Sequence, residues 1–196
     1  MGRIVAKRFV AFLMVAALVV ALLPVMGETI EAKAAVGQEF EQGDFIYEVI
    51  SDKYEVKLLS LKEGVPPTAL NGLYIPDCVT NPYDKEEYRV TVIGDTAFWG
   101  YRCIKGELRL PEYLDTIEPY AFAYCTGLYG ELIIPDGCTR IEDDAFLGDY
   151  KFTSLRFGQK PIINYIGAQA FADCYGLSGD FELPESVGEI GYNAFR

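Results

Sequence analysis

The sequence predicts a repeat solenoid, in which short parallel β-strands alternate with short helical turns. An Ala-Phe pair recurs five times at steps of 24 or 25 residues, and an isoleucine stands five residues before each phenylalanine. Such a period is typical of stacked repeats, because one unit cannot bury its apolar side alone. The phenylalanines are Phe98, Phe122, Phe146, Phe171 and Phe195, and the isoleucines are Ile93, Ile117, Ile141, Ile166 and Ile190.

The first 34 residues have the features of a secretory signal peptide. Basic residues between Arg3 and Arg8 precede an apolar stretch over residues 9–25, and Ala32-Lys33-Ala34 supplies an A-x-A cleavage pattern ahead of Ala35. A retained membrane anchor is the weaker alternative, because Pro24 ends an apolar stretch shorter than the ~20 residues that span a bilayer. The sequence therefore predicts export, with cleavage near Ala34.

The remainder of the chain is strongly acidic. Without residues 1–34 it keeps 13 basic and 27 acidic residues, a formal charge of about −14. This charge repels nucleic acid and anionic membrane surfaces, which bind cationic patches. We therefore expect no nucleic-acid partner and no membrane association of the mature form.

Residues 69–196 divide into repeat units, the last of them incomplete. Each begins with a strand-like piece whose alternation points Leu inward and residues such as Arg109 and Glu182 outward. A proline then ends the pairing, and a predicted helical turn carries the Ala-Phe pair. The strand-like pieces are Leu73–Pro76, Leu108–Pro111, Leu132–Pro135, Leu155–Phe157 and Phe181–Pro184.

These units resemble the BspA-like leucine-rich repeats of bacterial surface proteins. The resemblance rests on VIGDTAF from Val92, IPDGCTRIEDDAF from Ile134, YIGAQAF from Tyr165 and LPESVGEIGYNAF from Leu183. The unit from Leu155 to Phe171 departs from the pattern, since it lacks Ile-Pro and carries the insertion GQKPIIN. The resemblance implies that residues 35–68 form an N-terminal cap with a β-hairpin over residues 43–59. It also implies adhesion to host matrix proteins or to neighbouring cells.

The five cysteines predict buried free thiols. Cys125 and Cys174 hold the same slot two rungs apart, beyond the ~7 Å that a disulfide allows between Cα atoms, and Asp149 holds the slot between them. Cys138 stands where other units have Leu or Val. A bridge between Cys103 and Cys125 is the alternative. No C-x-x-C motif supports a metal site.

The sequence predicts no catalytic site, cofactor or metal. It contains no histidine, which removes Ser-His-Asp and Cys-His systems and the usual zinc sites, and it has no Gly-rich phosphate loop. Glu107 and Glu131 should lie near 5 Å apart, as in a retaining glycosidase, yet a repeat creates such pairs automatically. The acidic run over residues 142–144 lacks the spaced ligands of a calcium loop and is interpreted as a solvated turn.

Aromatic residues near the Ala-Phe turns form the candidate binding surface, because exposed Tyr and Trp favour protein interfaces and stacking on sugars. The alternative is that they only cover the turns beneath. A second surface, on the strands, has mixed charge. The candidate aromatic residues are Trp99, Tyr101, Tyr124, Tyr129, Tyr150 and Tyr175, and the charged strand residues are Glu107, Arg109, Glu131, Arg156, Asp180 and Glu182.

The leading functional hypothesis is a secreted or cell-surface protein that binds another protein, or a glycan, without catalysis. Because the sequence stops inside a unit, a second hypothesis makes it the non-catalytic front of a longer secreted enzyme. A third is self-association through the last rung, where Leu183, Ile190 and Phe195 have no following unit.

Overall fold

The computed structural model describes residues 33–178 and 182–196. Residues 1–32 of the predicted signal peptide, and the residues Asp180 and Phe181, therefore lie outside the described residues. The strands are, in chain order, β1 (Glu39–Gln42), β2 (Phe45–Ser51), β3 (Glu55–Leu61), β4 (Asn71–Tyr74), β5 (Cys78–Thr80), β6 (Glu87–Ile93), β7 (Lys105–Arg109), β8 (Thr116–Ile117), β9 (Gly130–Ile134), β10 (Arg140–Ile141), β11 (Phe152–Phe157), β12 (Tyr165–Ile166) and β13 (Glu189–Ile190).

One sheet carries the isoleucine of every repeat. Its order is β1-β2-β3-β6-β8-β10-β12-β13, with β5 paired to β6, and pairing is parallel from β3 onward along this path. The five isoleucines are direct cross-strand partners from Ile93 through to Ile190. The predicted register of this column is thus confirmed.

The front of the sheet is antiparallel. β2 and β3 pair where the sequence predicts a hairpin, and β1 adds a further strand against β2. A third antiparallel pair, β5 with β6, was not predicted. Its intervening turn is fixed by Asn81, whose side-chain oxygen accepts the N–H of Tyr83 at 2.9 Å.

The strand-like pieces of the repeats form two separate pairs, β4 with β7 and β9 with β11. Leu108 and Leu110 are buried and Arg109 is exposed, as the alternation predicts. The piece at Phe181–Pro184 was predicted as a strand, but Glu182, Leu183 and Pro184 do not pair as one.

The phenylalanines form one continuous stack inside the repeats. Successive rings from Phe98 to Phe195 have centroids 5.3, 5.1, 5.3 and 5.2 Å apart, with planes within 9° of parallel. Phe122 and Phe171 are separated by two of these steps, of 5.1 and 5.3 Å. The stack is the centre of a core that also contains the alanines before each ring.

The predicted helical turns are wrong. Among the described residues the only helix is one 3₁₀ turn, Pro67–Ala69, and the Ala-Phe segments are successive turns. The reason is that every second N–H bonds sideways. Phe122 N–H donates to Ala145 O of the next rung at 2.8 Å, while Ala123 N–H donates within its own turn to Tyr120 O at 3.1 Å. In an α-helix, each N–H after the first four instead donates to the carbonyl four residues earlier.

No helix among the described residues has the length and apolar character needed to cross a membrane.

Candidate binding surface

The turn backbone decides which side chains face solvent. Tyr120 and Tyr124, two residues before and two after Phe122, have φ angles of 55° and 60°. The same two positions are left-handed in the turns around Phe146 and Phe171. The residues between them, Ala121 to Ala123, are fully buried, whereas both tyrosines are exposed. The Phe122 turn therefore buries its centre and displays its flanks, whereas Asp144 and Gly148, at the same positions around Phe146, are buried.

Tyr150 and Tyr175 are the best-placed pair of the predicted surface. Each is the fourth residue after its phenylalanine, so the two occupy one column on adjacent rungs, which stack at ~4.8 Å in a sheet. Tyr150 is 47% exposed and Tyr175 is 77% exposed. The hydroxyl of Tyr175 donates to Asp173 Oδ1 at 2.6 Å, and Lys151 Nζ lies 5.9 Å from the ring centroid of Tyr150.

Two of the predicted residues contact the scaffold. Tyr101 packs edge-on against Phe98, with ring centroids 6.3 Å apart, and its burial raises the pKa of its hydroxyl. Tyr124 lies over Gly148 of the next rung, where a Cβ atom would come within 2.7 Å of its ring. Both therefore have the covering role that was the alternative to binding, although Tyr124 keeps 36% of its surface exposed.

Trp99 and Tyr129 are exposed at other positions. Trp99 directly follows its phenylalanine, and Tyr129 precedes β9. Sequence reasoning missed Tyr120 and Tyr192, which are also exposed. A hydrogen bond to Asp144 on the next rung raises the pKa of Tyr120. Its place two residues before the phenylalanine was the signal that could have identified it.

The two arginines of the strand surface form ion pairs. Arg156 donates to both carboxylate oxygens of Glu131, at 3.2 and 3.5 Å, and Arg109 pairs with Asp77 at 3.3 Å. Glu107 is exposed and lies against Gly130 on the next rung. Glu131 is thus engaged by an arginine rather than facing Glu107 across a substrate cleft. The pairing expected of a glycosidase gains no support from this geometry.

Asp143 and Asp144 of the acidic run over residues 142–144 bond to the next rung, and Asp144 is buried rather than solvated as predicted. Glu142 accepts the Nε–H of Arg140 at 2.7 Å, and Asp143 Oδ1 accepts the N–H of Ala168 at 2.7 Å. Asp144 Oδ1 accepts Gln169 Nε2 at 3.2 Å. Within residues 33–178 and 182–196, no three acidic or cysteine side chains are arranged to hold a metal ion.

All five cysteines are free thiols, and three of them are buried. The Sγ of Cys125 donates to Phe98 O at 2.9 Å, and the Sγ of Cys174 donates to Phe146 O at 3.1 Å. Cys103 is exposed while Cys125 is fully buried, so the alternative bridge is not formed.

Asp149 occupies the thiol column between Cys125 and Cys174. Its side chain is fully buried, and neither carboxyl oxygen has a hydrogen-bond partner of normal geometry among the described residues. Burial raises the pKa of this carboxyl well above its usual range, an effect that the nearby Cys125 N–H offsets only in part. The neighbouring thiols donate to phenylalanine carbonyls, and a protonated carboxyl can do the same, whereas a carboxylate cannot.

These features define a protein of the leucine-rich-repeat class, with mostly short strands and almost no helix. More narrowly, residues 86–196 match the family model of the BspA type leucine rich repeat region in six copies. The chain belongs to this family.

Solved structures agree with the family. A leucine-rich repeat protein from Bacteroides ovatus is 30% identical, with a TM-score of 0.64, over 80% of this chain and 38% of that protein. The pneumococcal vaccine antigen PcpA is 20% identical and shares the fold, with a TM-score of 0.53, over 83% of this chain and 48% of PcpA. The chain thus spans less than half the length of either protein. No curated protein matches the sequence.

Proposed function

We propose that this is a secreted or cell-surface protein that binds another protein through the exposed aromatic side of its turns and performs no catalysis. The observation that carries the proposal is the column formed by Tyr150 and Tyr175. Two exposed tyrosines on adjacent rungs give a large contact area at low entropic cost. Trp99 and Tyr129 provide further exposed aromatic side chains on the same repeats.

Export rests on the sequence and on the family. Residues 1–34 have the pattern of a signal peptide, and the repeats are of the BspA type. The partner expected from this location is a host extracellular-matrix protein or another cell-surface protein, and a glycan is the other possible ligand. In this proposal the repeats form a solenoid, and the strands β1 to β3 close its N-terminal end.

A capture experiment tests the proposal. The full chain is secreted, immobilised and exposed to purified matrix proteins, and the variant Tyr150→Ser/Tyr175→Ser is compared with Tyr83→Ser. Tyr83 is the control because it is 58% exposed, as the Tyr150 and Tyr175 column is exposed, but lies in the turn between β5 and β6. We expect the double variant to lose at least tenfold in affinity, a loss of about 1.4 kcal/mol, and the control to keep it. Binding of no matrix or surface protein would contradict the proposal.

Self-association is a second candidate function. Leu183 and Ile190 of the last rung are exposed, 40% and 46% respectively, and an apolar sheet edge favours pairing with another chain. Light scattering over a concentration series tests it, and a chain that remains monomeric at high concentration would refute it. The remaining hypothesis, that the chain is a non-catalytic region of a longer secreted enzyme, is tested by the gene sequence downstream of Arg196.

A further inference from the structure

Two residues of the predicted signal peptide make specific contacts with the folded repeats. The N–H of Ala34 donates to Asp84 Oδ2 at 2.8 Å, and the Ala34 side chain belongs to the buried core. The same carboxyl oxygen accepts the hydroxyl of Tyr88 at 2.8 Å, while Oδ1 accepts the N–H of Glu86 at 3.1 Å. Asp84 is itself buried, so the bond from Ala34 satisfies a carboxylate that water reaches poorly.

Lys33 makes further contacts with residues near this carboxylate. Its ammonium lies 4.0 Å from the ring centroid of Tyr54 and also donates to the carbonyl of Asp52. The ring of Tyr54 in turn packs edge-on against Tyr88, with centroids 5.3 Å apart. Contacts therefore run from Lys33 through the two tyrosines and Asp84 back to Ala34. The contacts of Lys33 and Ala34 join the start of the described chain to the turns that precede β3 and β6.

Cleavage after Ala34 would remove both of these residues. Asp84 would then lose the donor from Ala34, and Tyr54 would lose the cation over its ring. A buried carboxylate that loses a donor pays a desolvation cost, so this cut would weaken the front of the domain. The pKa of Asp84 supports this role of the Ala34 N–H. Burial alone raises the pKa of this carboxyl, but the bonds from Ala34 and Tyr88 lower it below its usual value.

We infer that the export leader is removed after Ala32, two residues upstream of the cut that A-x-A predicts, and that the mature chain begins at Lys33. This cut keeps a small residue, Ala32, immediately before it, but it places Ile30 where the A-x-A pattern has its first alanine. The inference rests on the proposed export. It assigns Asp84, Tyr88 and Tyr54 as the site that receives the new N-terminal segment.

The test is the intact mass and N-terminal sequence of the full chain after secretion from a bacterial host. A start at Lys33 is expected, and a start at Ala35 or any other residue overturns the assigned cut while leaving export intact. A chain that keeps its leader overturns both export and the cut, so the two failures are distinguishable.

A matched pair of variants makes the assignment sharper. Ala32→Leu places a bulky residue directly before the inferred cut, and we expect loss of the cleaved product. Ala34→Leu places the same bulky residue directly before the alternative cut only, and we expect it to be processed as the wild type is. If Ala32→Leu is cleaved normally, or if Ala34→Leu is not cleaved, the inferred cut is wrong. Slow exchange of the Ala34 amide in the secreted protein, faster in Asp84→Ala, would show the docking itself.

Discussion

Phe122 and Phe146 stack with ring centroids 5.1 Å apart and planes 7° from parallel, and each also stacks on a further phenylalanine on its other side. Both rings are fully buried. Because each of these two rings contacts a ring of the rung before and a ring of the rung after, the stack couples the repeats to one another. Packing of this kind links neighbouring repeats into one cooperative unit.

Replacement of a ring in the middle of the stack should therefore be costly. Phe146→Ala removes a buried ring that contacts Phe122, Phe171 and Phe152. We expect the free energy of unfolding to fall by about 3–5 kcal/mol, measured by urea denaturation. Tyr192→Ala, at a largely exposed position, is the control and should change it by less than about 0.5 kcal/mol. Similar midpoints for the two variants would contradict the role of the stack.

The buried carboxyl of Asp149 should make the protein less stable as the pH rises. Its carboxyl has a raised pKa in the folded state, because of burial, and an ordinary pKa when unfolded. The folded state therefore holds the proton more tightly, and this group's contribution to stability is full below the unfolded pKa and decreases as the pH rises toward the folded pKa. Asp149→Asn, which keeps a donor without a charge, should raise stability at pH 7 by about 1–3 kcal/mol and flatten its pH dependence. Denaturation midpoints at pH 5 and pH 8 check this, and a less stable Asn variant at pH 8 would refute it.

Gly148 and Gly100 separate two effects of a glycine in the turns. Both have a left-handed φ, 77° and 74°, but an added Cβ meets the Tyr124 ring only at Gly148 and nothing within 4 Å at Gly100. Alanine at either position should cost about 1–2 kcal/mol for the backbone. Gly148→Ala should cost more, because it also displaces the ring. Thermal unfolding of both variants measures the difference, and equal losses would show that the ring contact contributes nothing.

The thiols should differ sharply in reactivity. Burial raises the pKa of Cys138 and of Cys174 to about 12, so neither forms a thiolate at neutral pH. An excess of a disulfide reagent at pH 8 should modify exposed Cys103 first and partly buried Cys78 more slowly. Mass spectrometry of the labelled peptides identifies the sites. Rapid labelling of Cys125 in the native protein would contradict the packing of its column.

The sequence predicted the columns of the fold but not the backbone that connects them. The positions of Ile93, Phe98 and Cys125 follow from period and burial alone, so their partners on other rungs were predictable. The turns were not, because AFAYC has the composition of a helix and only the sideways bond from Phe122 N–H to Ala145 O shows otherwise. Similarly, the sequence alone does not distinguish a tyrosine that covers a turn from one that faces solvent. The glycine at 148, one rung away, decides that Tyr124 covers a turn.

Hydrogen exchange of the turn amides tests the central claim that successive rungs bond side by side through their turns. The account predicts that the amides of Phe98, Phe122, Phe146 and Phe171, which donate to the next rung at 2.7–2.8 Å, exchange as slowly as those of the isoleucine column. Exchange of these turn amides at the rate of unstructured peptides, with the strands still protected, would contradict it.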